Sequence, residues 1–516
     1  MRARWRHGIA LGAALLLLDI SVTFHNVWPT PAISWRGEIS IEFAAYLLIS
    51  ILLSRTRRIS GGALKLITAI WIFFVIGRYA DVTATALFGR DINLYWDLRF
   101  IPDVVSLLAK AAHVWRALEV AAALVIIVAI LYFIFRWALG RIAEAAHDRR
   151  ERIVLAIAAA FVLVPGIRIA RPVIFTYARQ ISVAARAIAG KTVVPPSPAM
   201  TSNLARVKGA DVYLIFLESY GAVTFDRPEF ARGLAAPRAA FETAIHGTNR
   251  DVVSAFVESP TFGGNSWLAH ISLMSGIEVR DPDVNAMLMA QKRETIVTRF
   301  RHEGYRTVAL MPGLWQAWPE GRFYGFDEIY GGERLAYRGP PFGWFDIPDQ
   351  YALAKFDALE SGKARRPPIF LFFPTISTHT PFKPTPPYQQ DWKRSLTEKP
   401  FDEGDLDRSF DEPADWLNLG PSYVEAMTYT YTTLTGYLLK DADRDFVMIL
   451  LGDHQPPALV SGEGAPWDVP VHVIASRRGV LDALVAKGFR RGLTPSRPDV
   501  SKMHALLPIL LEALSN

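Results

Sequence analysis

Four side chains with metal-binding chemistry follow short apolar runs. Glu218 follows the run VYLIFL, His379 lies just past IFLFFPTIS, and Asp453 and His454 follow FVMILLG. Singly, an acid in such a position is often a helix cap, and a single His is more often structural. Four of them at equivalent positions favour a ligand set, because carboxylate and imidazole together suit Zn²⁺ or Mn²⁺. The sequence therefore predicts a site for one divalent ion, with Mg²⁺ as a further alternative.

A hydroxyl group stands in a segment suited to close approach of a ligand. In TFGGNSWLAHISLMSG, Gly263 and Gly264 precede Ser266, and glycine permits a tight approach of the backbone to a ligand. Ser266 would begin a helix through Ala269 and Leu273, with its hydroxyl at the positive end of the helix dipole. A plain serine N-cap is the alternative, and both can hold together. A capping position next to a metal ion is a good place for an alkoxide.

These residues need a sheet that brings strand ends to one edge. Apolar runs rich in β-branched and aromatic residues predict buried strands at 212–219, 307–312, 369–377, 446–453 and 469–475, with a helix at 423–440. Such strands separated by helices favour a C-terminal α/β domain with a central, mostly parallel sheet. In such sheets ligands bind beyond the carboxyl ends of the strands.

The composition divides the chain into two parts. Of its 516 residues, 51% are hydrophobic, and the mean hydropathy is +0.18. The apolar excess lies in the first third. The net charge of +6 comes from arginines that flank apolar runs, which suits anionic lipid headgroups better than nucleic acid. The chain has 0 Cys, which excludes disulfides, thiolate metal sites and a cysteine nucleophile.

The first third predicts an α-helical membrane domain of about five spans. Five apolar runs approach the roughly 20 residues needed to cross a bilayer: 8–27, 38–54, 63–87, 117–137 and 153–170. The second carries Glu38 and Glu42, which are costly within a bilayer. A cleaved signal peptide is the alternative for the first run, but no clean small-residue cleavage site follows it.

Arginines indicate the orientation of these spans. They precede the first run, separate the second from the third, and lie at or between the ends of the fourth and fifth: Arg2, Arg4, Arg6, Arg55, Arg57, Arg58, Arg136, Arg141, Arg149, Arg150 and Arg152. Basic loops stay in the cytoplasm, so five spans place the rest of the chain outside. The predicted domains are 1–170 in the membrane, 171–207 as juxtamembrane helix and linker, and 208–516 as the external domain.

Two shorter segments have alternative interpretations. The basic, partly apolar stretch 171–191 is typical of an interfacial helix, or it continues the fifth span. The loop FGRDINLYWDLRF at 88–100 carries interface aromatics, and Arg90 with Asp91 could help to hold a lipid headgroup.

Together these motifs resemble the sulfatase-like branch of the alkaline phosphatase superfamily. Within it, the chain is similar to membrane-bound lipoteichoic acid synthases and phosphoglycerol or phosphoethanolamine transferases. The resemblance implies that LESYG, GGNS and LGDHQPP supply Glu218, Ser266, Asp453 and His454 as ligands of one divalent metal ion. It further implies that Ser266 is the nucleophile and that His379, in STHTPF, contacts the substrate phosphate. By the same resemblance, GLWQAWPEGR supplies substrate-binding groups in Trp315, Trp318 and Arg322.

The chain departs from these families in two ways. The transferases usually have Thr as nucleophile, and Ser266 keeps the hydroxyl chemistry. Sulfatases need an Arg four positions after the residue that is oxidised to formylglycine, and here that position is His270. An unmodified hydroxyl favours phospho-transfer over sulfate ester hydrolysis. The phosphoethanolamine branch often carries disulfides, so the absence of Cys argues against membership of that branch.

The resemblance implies a transferase of the bacterial inner membrane with its catalytic domain in the periplasm. It would move a phosphoglycerol or phosphoethanolamine group from a membrane phospholipid to a glycan or lipid acceptor in the cell envelope. A hydrolase of phosphodiesters or sulfate esters is one alternative, and an inactive membrane scaffold is another. A transporter would need a polar pathway between paired spans, which few internal charges provide.

Overall fold

The computed structural model describes residues 2–28, 30–54, 58–89, 92, 114–189, 193–315, 318, 321–360 and 366–516. The chain forms two compact units, Met1–Lys191 and Thr192–Asn516. Arg55, Arg57 and most of the loop 88–100, including Arg90 and Asp91, lie outside the described residues. The domain limits predicted at 170 and 207 remain a prediction.

The first unit is helical. Its helices are α1 (Arg2–Thr23), α2 (Ile41–Leu53), α3 (Gly61–Phe88), α4 (Val114–Ala145), α5 (Arg149–Ala160) and α6 (Val173–Ile188). A short antiparallel pair, β1 (His25–Asn26) and β2 (Ile33–Ser34), joins α1 to α2. Residues 164–172 are not helical, so α6 is a separate helix, and the alternative that 171–191 continues the fifth span is wrong.

Three of the described helices are long and apolar enough to cross a membrane. They contain Trp5–Thr23, Gly61–Leu87 and Ala122–Ala145. The second and fifth predicted spans coincide with α2, of 13 residues, and α5, of 12 residues. At 1.5 Å per residue these helices are only about 20 and 18 Å long, short of a hydrocarbon core of about 30 Å. The predicted count of five spans is therefore not confirmed.

The second unit is built on one mixed sheet. Its strands are β3 (Asp211–Leu217), β4 (Asp251–Glu258), β5 (Arg306–Met311), β6 (Glu328–Gly331), β7 (Ile369–Pro374), β8 (Phe446–Gly452), β9 (Asp468–Ala475), β10 (Arg490–Arg491) and β11 (Ser501–Lys502). The spatial order is β10-β4-β9-β8-β3-β7-β5-β6, and β11 pairs with β4. Four strands of this sheet, β4, β6, β10 and β11, are absent from the sequence prediction.

The centre of the sheet is parallel, as predicted, and one side of it is not. Strands β8, β3, β7, β5 and β6 pair in parallel. Strand β9 runs antiparallel to both β8 and β4, which corrects the expectation that it belongs to the parallel set. Because β4 is antiparallel to β9, it runs in the same direction as β8 and ends at the same edge of the sheet.

Helices cover both faces of this sheet. They are α7 (Val223–Asp226), α8 (Pro228–Gly233), α9 (Ala235–Gly247), α10 (Ser266–Ser275), α11 (Pro282–Met289), α12 (Ile296–His302), α13 (Gly321–Tyr324), α14 (Gly332–Leu335), α15 (Asp349–Glu360), α16 (Glu403–Asp411), α17 (Gly420–Lys440), α18 (Ala458–Ser461), α19 (Arg478–Val485) and α20 (Met503–Ala513). Short 3₁₀ turns lie at Phe161–Leu163, Ala205–Val207 and Arg394–Leu396.

Strand β3 shows how the two faces divide the core. All seven of its residues are buried. Leu214 and Phe216 pack in one cluster with residues of α10, α19 and α20. Tyr213 and Ile215 pack in the other with residues of α9, α15 and α17. This alternation follows from the two-residue period of a strand and makes β3 the middle layer of a three-layer unit.

A buried ion-pair network holds the amino ends of the three central strands. Asp211, at the start of β3, accepts two hydrogen bonds from Arg366, at 2.8 and 2.7 Å, and two from Arg444, at 3.1 and 3.0 Å. It also accepts the amide of Ile369 at 2.7 Å. Burial raises the pKa of Asp211, but its bonds to Arg366, Ile369 and Arg444 bring it below its usual value. Arg366 precedes β7 and Arg444 precedes β8, so one carboxylate ties three neighbouring strands together.

The number of spans is testable with topology reporters. A reporter fused after Asn516 should be active only outside the cytoplasm, because three spans and five spans are both odd counts. Reporters inserted after Arg58 and after His147 should be cytoplasmic if α2 and α5 also cross, as the basic loops predict. They should be external if only the three long helices cross. A cytoplasmic reporter at Asn516 would contradict both counts.

Candidate active site

The parallel strands bring distant parts of the chain to one edge of the sheet. Glu218 directly follows β3, and Asp453 and His454 directly follow β8, the neighbour of β3. Strand β4 ends at the same edge, and the loop that follows it leads to Ser266, the first residue of α10. The polar residues that the sequence predicts at strand ends therefore meet.

The four side chains lie within short distances of one another. The Ser266 hydroxyl donates to Glu218 Oε2 at 2.9 Å and lies 3.2 Å from His454 Nε2. His454 Nε2 is 3.5 Å from Glu218 Oε1 and 3.8 Å from Asp453 Oδ2. Ligand atoms of Glu218, Asp453 and His454 all lie within 4.8 Å of one another, and all three residues are buried. Among the described residues this is the single cluster of three or more such groups.

The donor set of this cluster fits a divalent cation. His454 Nδ1 lies 2.7 Å from the carbonyl oxygen of Gln455, which assigns the ring proton to Nδ1 and leaves Nε2 as an acceptor. Nε2 and the carboxylates of Glu218 and Asp453 then face one another, and the hydroxyl hydrogens of Ser266 and Ser219 are both donated to Glu218. A group of buried acceptors with so few donors is costly unless a cation neutralises it. Two carboxylates and an imidazole are ligands that Zn²⁺ or Mn²⁺ accepts.

The two carboxylates respond differently to burial. Burial, and then the charge of Glu218, raises the pKa of Asp453 well above its usual range. Burial also raises the pKa of Glu218, but the charges of His454 and then His379 bring it below its ordinary value. Burial lowers the pKa of His454. Both carboxylates can be ionised together only with added positive charge, which is the electrostatic reason to expect a cation here.

Backbone contacts keep these ligands in position. Asp453 Oδ1 accepts the amides of Ser219 at 2.9 Å and of His454 at 2.7 Å. Ser219 has a φ of +58°, an unfavourable conformation for a residue with a side chain, and its hydroxyl donates to Glu218 Oε1 at 2.9 Å. The strained residue beside Glu218 is thus held by the two carboxylates of the site.

Left-handed backbone brings the hydroxyl of Ser266 to the cluster. Gly263 and Gly264 have φ values of +64° and +141°, and Asn265 has +60°. Asn265 occupies the N-cap position of α10 without a side-chain capping bond, so Ser266 is the first helical residue and the plain N-cap alternative is wrong. The amide of Gly263 donates to the carbonyl of Gln455 at 3.1 Å, which ties this loop to the segment that carries Asp453 and His454.

His379 lies in a loop that is bonded to Glu218. The Thr378 hydroxyl donates to the Glu218 carbonyl oxygen at 2.5 Å, and the Glu218 amide donates to Thr375 Oγ1 at 3.0 Å. His379 Nδ1 lies 2.8 Å from the carbonyl oxygen of Thr380, which leaves Nε2 as its free nitrogen. The loop after β7 therefore places an imidazole near the cluster without making it part of the ligand group.

Asp349 is a residue of this region that sequence reasoning missed. Only 2% exposed, it stands at the amino end of α15 and accepts the amides of Ile376 and Ser377, both at 2.9 Å. Burial raises its pKa to about 6. It clamps the loop that carries Thr378 and His379. No motif in DIPDQ signals this role, because the loop it holds lies almost 30 residues downstream.

The three predicted substrate-binding residues do not form one group. Trp315 and Trp318 line a surface cavity of about 390 Å³ with Leu314, Ile329, Gly331, Glu333 and Arg334. Arg322 lies in α13 and is not among the lining residues. Ring contacts of Trp318 are with Tyr324 and Phe326, and Trp315 Nε1 donates to the Phe345 carbonyl oxygen at 3.4 Å. Their role in binding substrate remains a prediction.

Part of the second unit matches a known protein family. Residues 274–469 match the family model described as Sulfatase. The matched segment contains His379, Asp453 and His454, whereas Glu218 and Ser266 precede it. The match confirms the resemblance to the sulfatase-like branch that the motifs indicate. No curated protein matches the chain.

Solved structures with similarity to the chain include three bacterial proteins. The lipoteichoic acid synthase LtaP from Listeria monocytogenes is 16% identical over 55% of this chain and 69% of its own, with a TM-score of 0.39. The periplasmic domain of the phosphoethanolamine transferase EptC from Campylobacter jejuni is 12% identical over 59% and 89%, with a TM-score of 0.38. The phosphoglycerol transferase GacH from Streptococcus pyogenes is 13% identical over 59% and 79%, with a TM-score of 0.35.

The ligand set is testable by metal content. Glu218→Ala, Asp453→Ala and His454→Ala should each lose most of the divalent metal bound per folded chain, measured by elemental mass spectrometry alongside circular dichroism. His472→Ala is the matched control. His472 is buried on β9 and bonded to Ser254 and Tyr220, so its loss should affect stability and leave the metal in place. Loss of metal in His472→Ala with retention in His454→Ala would refute the ligand assignment.

Whether Asp349 positions the loop of His379 can be tested by measuring turnover and melting temperature separately. Asp349→Asn keeps the size of the side chain and removes an ionised acceptor for two backbone amides. We expect turnover of bis-p-nitrophenyl phosphate to fall between about tenfold and a hundredfold, because small displacements of reacting groups have effects of that order. Metal content should be unchanged.

Asp357→Asn on the same helix is the control. Asp357 is buried and pairs with Lys440 and Arg444, away from the loop. The Asp357→Asn variant should lower the melting temperature by at least as much as Asp349→Asn does. Its turnover per folded chain should be unchanged. Equal losses of turnover in the two variants would show that Asp349 contributes only to stability.

Proposed function

We propose that this chain, whose second unit contains the sulfatase-family segment, transfers a phospho-alcohol group from a membrane phospholipid to a glycan or lipid acceptor. The group would be phosphoglycerol or phosphoethanolamine, carried on Ser266 as a covalent intermediate. The observation that carries the proposal is the position of the Ser266 hydroxyl, 2.9 Å from Glu218 Oε2 and 3.2 Å from His454 Nε2. A hydroxyl in such a cluster is positioned as a nucleophile.

The ligand chemistry supports a metal-assisted reaction. Glu218, Asp453 and His454, with the hydroxyl of Ser266, would hold one divalent ion, with Zn²⁺ or Mn²⁺ favoured over Mg²⁺. When bound, such an ion lowers the pKa of a neighbouring hydroxyl and stabilises charge on phosphoryl oxygens. The amides of Ser219 and His454 hold Asp453 in its orientation.

In the first step Ser266 Oγ forms a bond to phosphorus, and the bond from phosphorus to the diacylglycerol oxygen breaks. The hydrogen on Ser266 Oγ points to Glu218 Oε2, which is the nearest base to receive it. The diacylglycerol oxygen leaves with a proton, which His379 in its protonated form would supply. In its charged form His379 also stabilises the negative phosphoryl oxygens.

In the second step an acceptor hydroxyl attacks the same phosphorus, and the bond to Ser266 Oγ breaks. His379, neutral after the first step, takes the acceptor proton, and the proton held on Glu218 returns to Ser266 Oγ, so the enzyme returns to its starting state. Transfer and hydrolysis differ only in the acceptor, because water can take the place of the sugar or lipid hydroxyl. The membrane helices of the first unit would keep the enzyme at the surface where its lipid donor lies, which is a gain of proximity.

The proposal is tested by the mass of the intermediate. Purified chain in nanodiscs of mixed phospholipids should gain the mass of one phospho-alcohol group on the peptide that contains Ser266, measured by peptide mass spectrometry after an acid quench. Ser266→Ala should retain the metal and lose the adduct, since it lacks the attacking oxygen. Ser266→Thr should keep part of the activity because it retains a hydroxyl.

Ser219 provides the matched control for this experiment. Its hydroxyl also contacts Glu218, at 2.9 Å from Oε1, but it lies in the backbone turn rather than at a helix amino terminus. Ser219→Ala should still form the adduct on the Ser266 peptide. An adduct on Ser219, or on neither serine, would refute the covalent mechanism. An adduct that only water discharges, whatever glycan is added, would make the chain a hydrolase.

A further inference from the structure

The second unit exposes its aromatic side chains in one region. Among its described residues, the large apolar side chains that are at least 44% exposed and lie near the site form what we call the apolar rim: Trp315 (49%), Trp344 (48%), Phe410 (44%), Trp416 (58%) and Leu417 (83%). Every exposed aromatic residue described in this unit belongs to the rim. The other exposed large apolar residues described here are the aliphatic Val193, Leu439 and Val485. Exposed aromatic residues gathered at one place favour an interaction surface.

Trp344 stands beside the candidate catalytic imidazole. Its ring stacks on His379 with the centroids 5.6 Å apart, and Phe345 contacts the same imidazole edge-on at 5.3 Å. Paired backbone bonds between Phe342 and Asp346 close the turn that presents Trp344. The exposed indole is therefore held in place rather than left on a long loop.

Trp416 and Leu417 lie at the same edge of the sheet. They precede α17, and the carboxyl end of α17 connects to the amino end of β8. The amino end of α17 therefore lies at the edge of the sheet where β8 and its parallel neighbours end. One turn into that helix, the Tyr423 hydroxyl donates to the Ser219 carbonyl oxygen at 2.8 Å, next to Glu218. Phe410 joins this edge to the Trp344 turn, since its ring lies 5.2 Å from that of Phe342.

We propose that the apolar rim rests on the surface of a phospholipid bilayer and presents the site to the headgroups. Tryptophan and leucine exposed together are typical of groups that enter the boundary between headgroups and acyl chains. The same chain carries three helices long and apolar enough to cross a membrane, so a bilayer is the surface to which this unit is tethered. This goes beyond the proposed chemistry and does not depend on which group is transferred.

The negative charge of the segment beside the apolar rim favours a zwitterionic bilayer over an anionic one. The segment 402–415, which carries Phe410 and leads to Trp416, contains seven acidic residues and one Arg: Asp402, Glu403, Asp405, Asp407, Asp411, Glu412, Asp415 and Arg408. An anionic surface would repel such a segment. Zwitterionic headgroups such as phosphatidylethanolamine offer ammonium groups that complement it. The rim should therefore enter the bilayer by apolar insertion, with little contribution from basic residues.

The absence of cysteine makes this contact directly measurable. Leu417→Cys introduces the single thiol of the chain, which can carry an environment-sensitive fluorophore. The full chain is placed, one copy per nanodisc, in phosphatidylcholine with phosphatidylethanolamine. The label at 417 should shift its emission to the blue, lose quenching by aqueous acrylamide and gain quenching by doxyl-labelled phosphatidylcholine. Adding Trp416→Ser should reverse part of each change. Replacing phosphatidylethanolamine by phosphatidylglycerol should weaken all three.

Leu439→Cys is the matched control. Leu439 is 57% exposed and lies on α17, the helix that follows Trp416 and Leu417. It is near the far end of that helix, about 28 Å along the axis from the amino terminus at 1.5 Å per residue. A label at position 439 should show the emission and the acrylamide quenching of a fully water-exposed fluorophore in every nanodisc, with no quenching by the doxyl lipid. Equal acrylamide quenching at 417 and 439, with no doxyl quenching at 417, would overturn the proposal and leave a protein partner as the occupant of the rim. Insertion only into phosphatidylglycerol would overturn the choice of a zwitterionic surface. Neither result affects the adduct on Ser266, which tests the chemistry separately.

Discussion

The buried carboxylate of Asp211 is the constraint on which the geometry of the site depends. It binds Arg366 before β7, Arg444 before β8 and the amide that begins β7. In parallel strands, register at the amino ends determines which residues stand together at the carboxyl ends, and a slip of one residue would turn every side chain to the other face. A buried ion pair adds little net stability, but removal of one partner is strongly destabilising. Asp211 thus specifies the alignment that brings Glu218 beside Asp453.

The excess of buried negative charge at the site is the second constraint on the structure of this unit. The edge of the sheet collects two carboxylates and an imidazole, and the backbone beside them is strained at Ser219 and Asn265. Such strain persists only where the surrounding structure over-determines it, and it is concentrated at functional sites. The loop with Thr378 and the helix residue Asp349 extend this support to His379. The second unit therefore keeps a costly arrangement that a bound cation would relieve.

The helices of the first unit are limited by other physical constraints than the sheet of the second unit. Hydropathy located its helices, since residues in a bilayer must be apolar over a length set by its thickness. It could not settle α2 and α5, because short apolar helices serve equally as short spans or as packing elements. Arg141 illustrates the difficulty. It pairs with Glu151 and the carbonyl oxygen of His7, so an arginine that appears as a topology signal in sequence is also a packing residue between helices.

Composition and motif alone determined the two-part architecture, the α/β class of the second unit and the resemblance that the family match bears out. They also indicated residues at strand ends, because apolar runs locate buried strands and the residue after a run is then known. Only tertiary structure decided that β9 runs antiparallel, that β4 exists and brings Ser266 to the edge formed by β3 and β8, and that Asp349 clamps the loop of His379. These features depend on pairing between segments far apart in the chain. Local periodicity cannot encode such pairing, because the direction of a strand and the partner of a buried carboxylate are set by packing against residues that the local sequence does not contain.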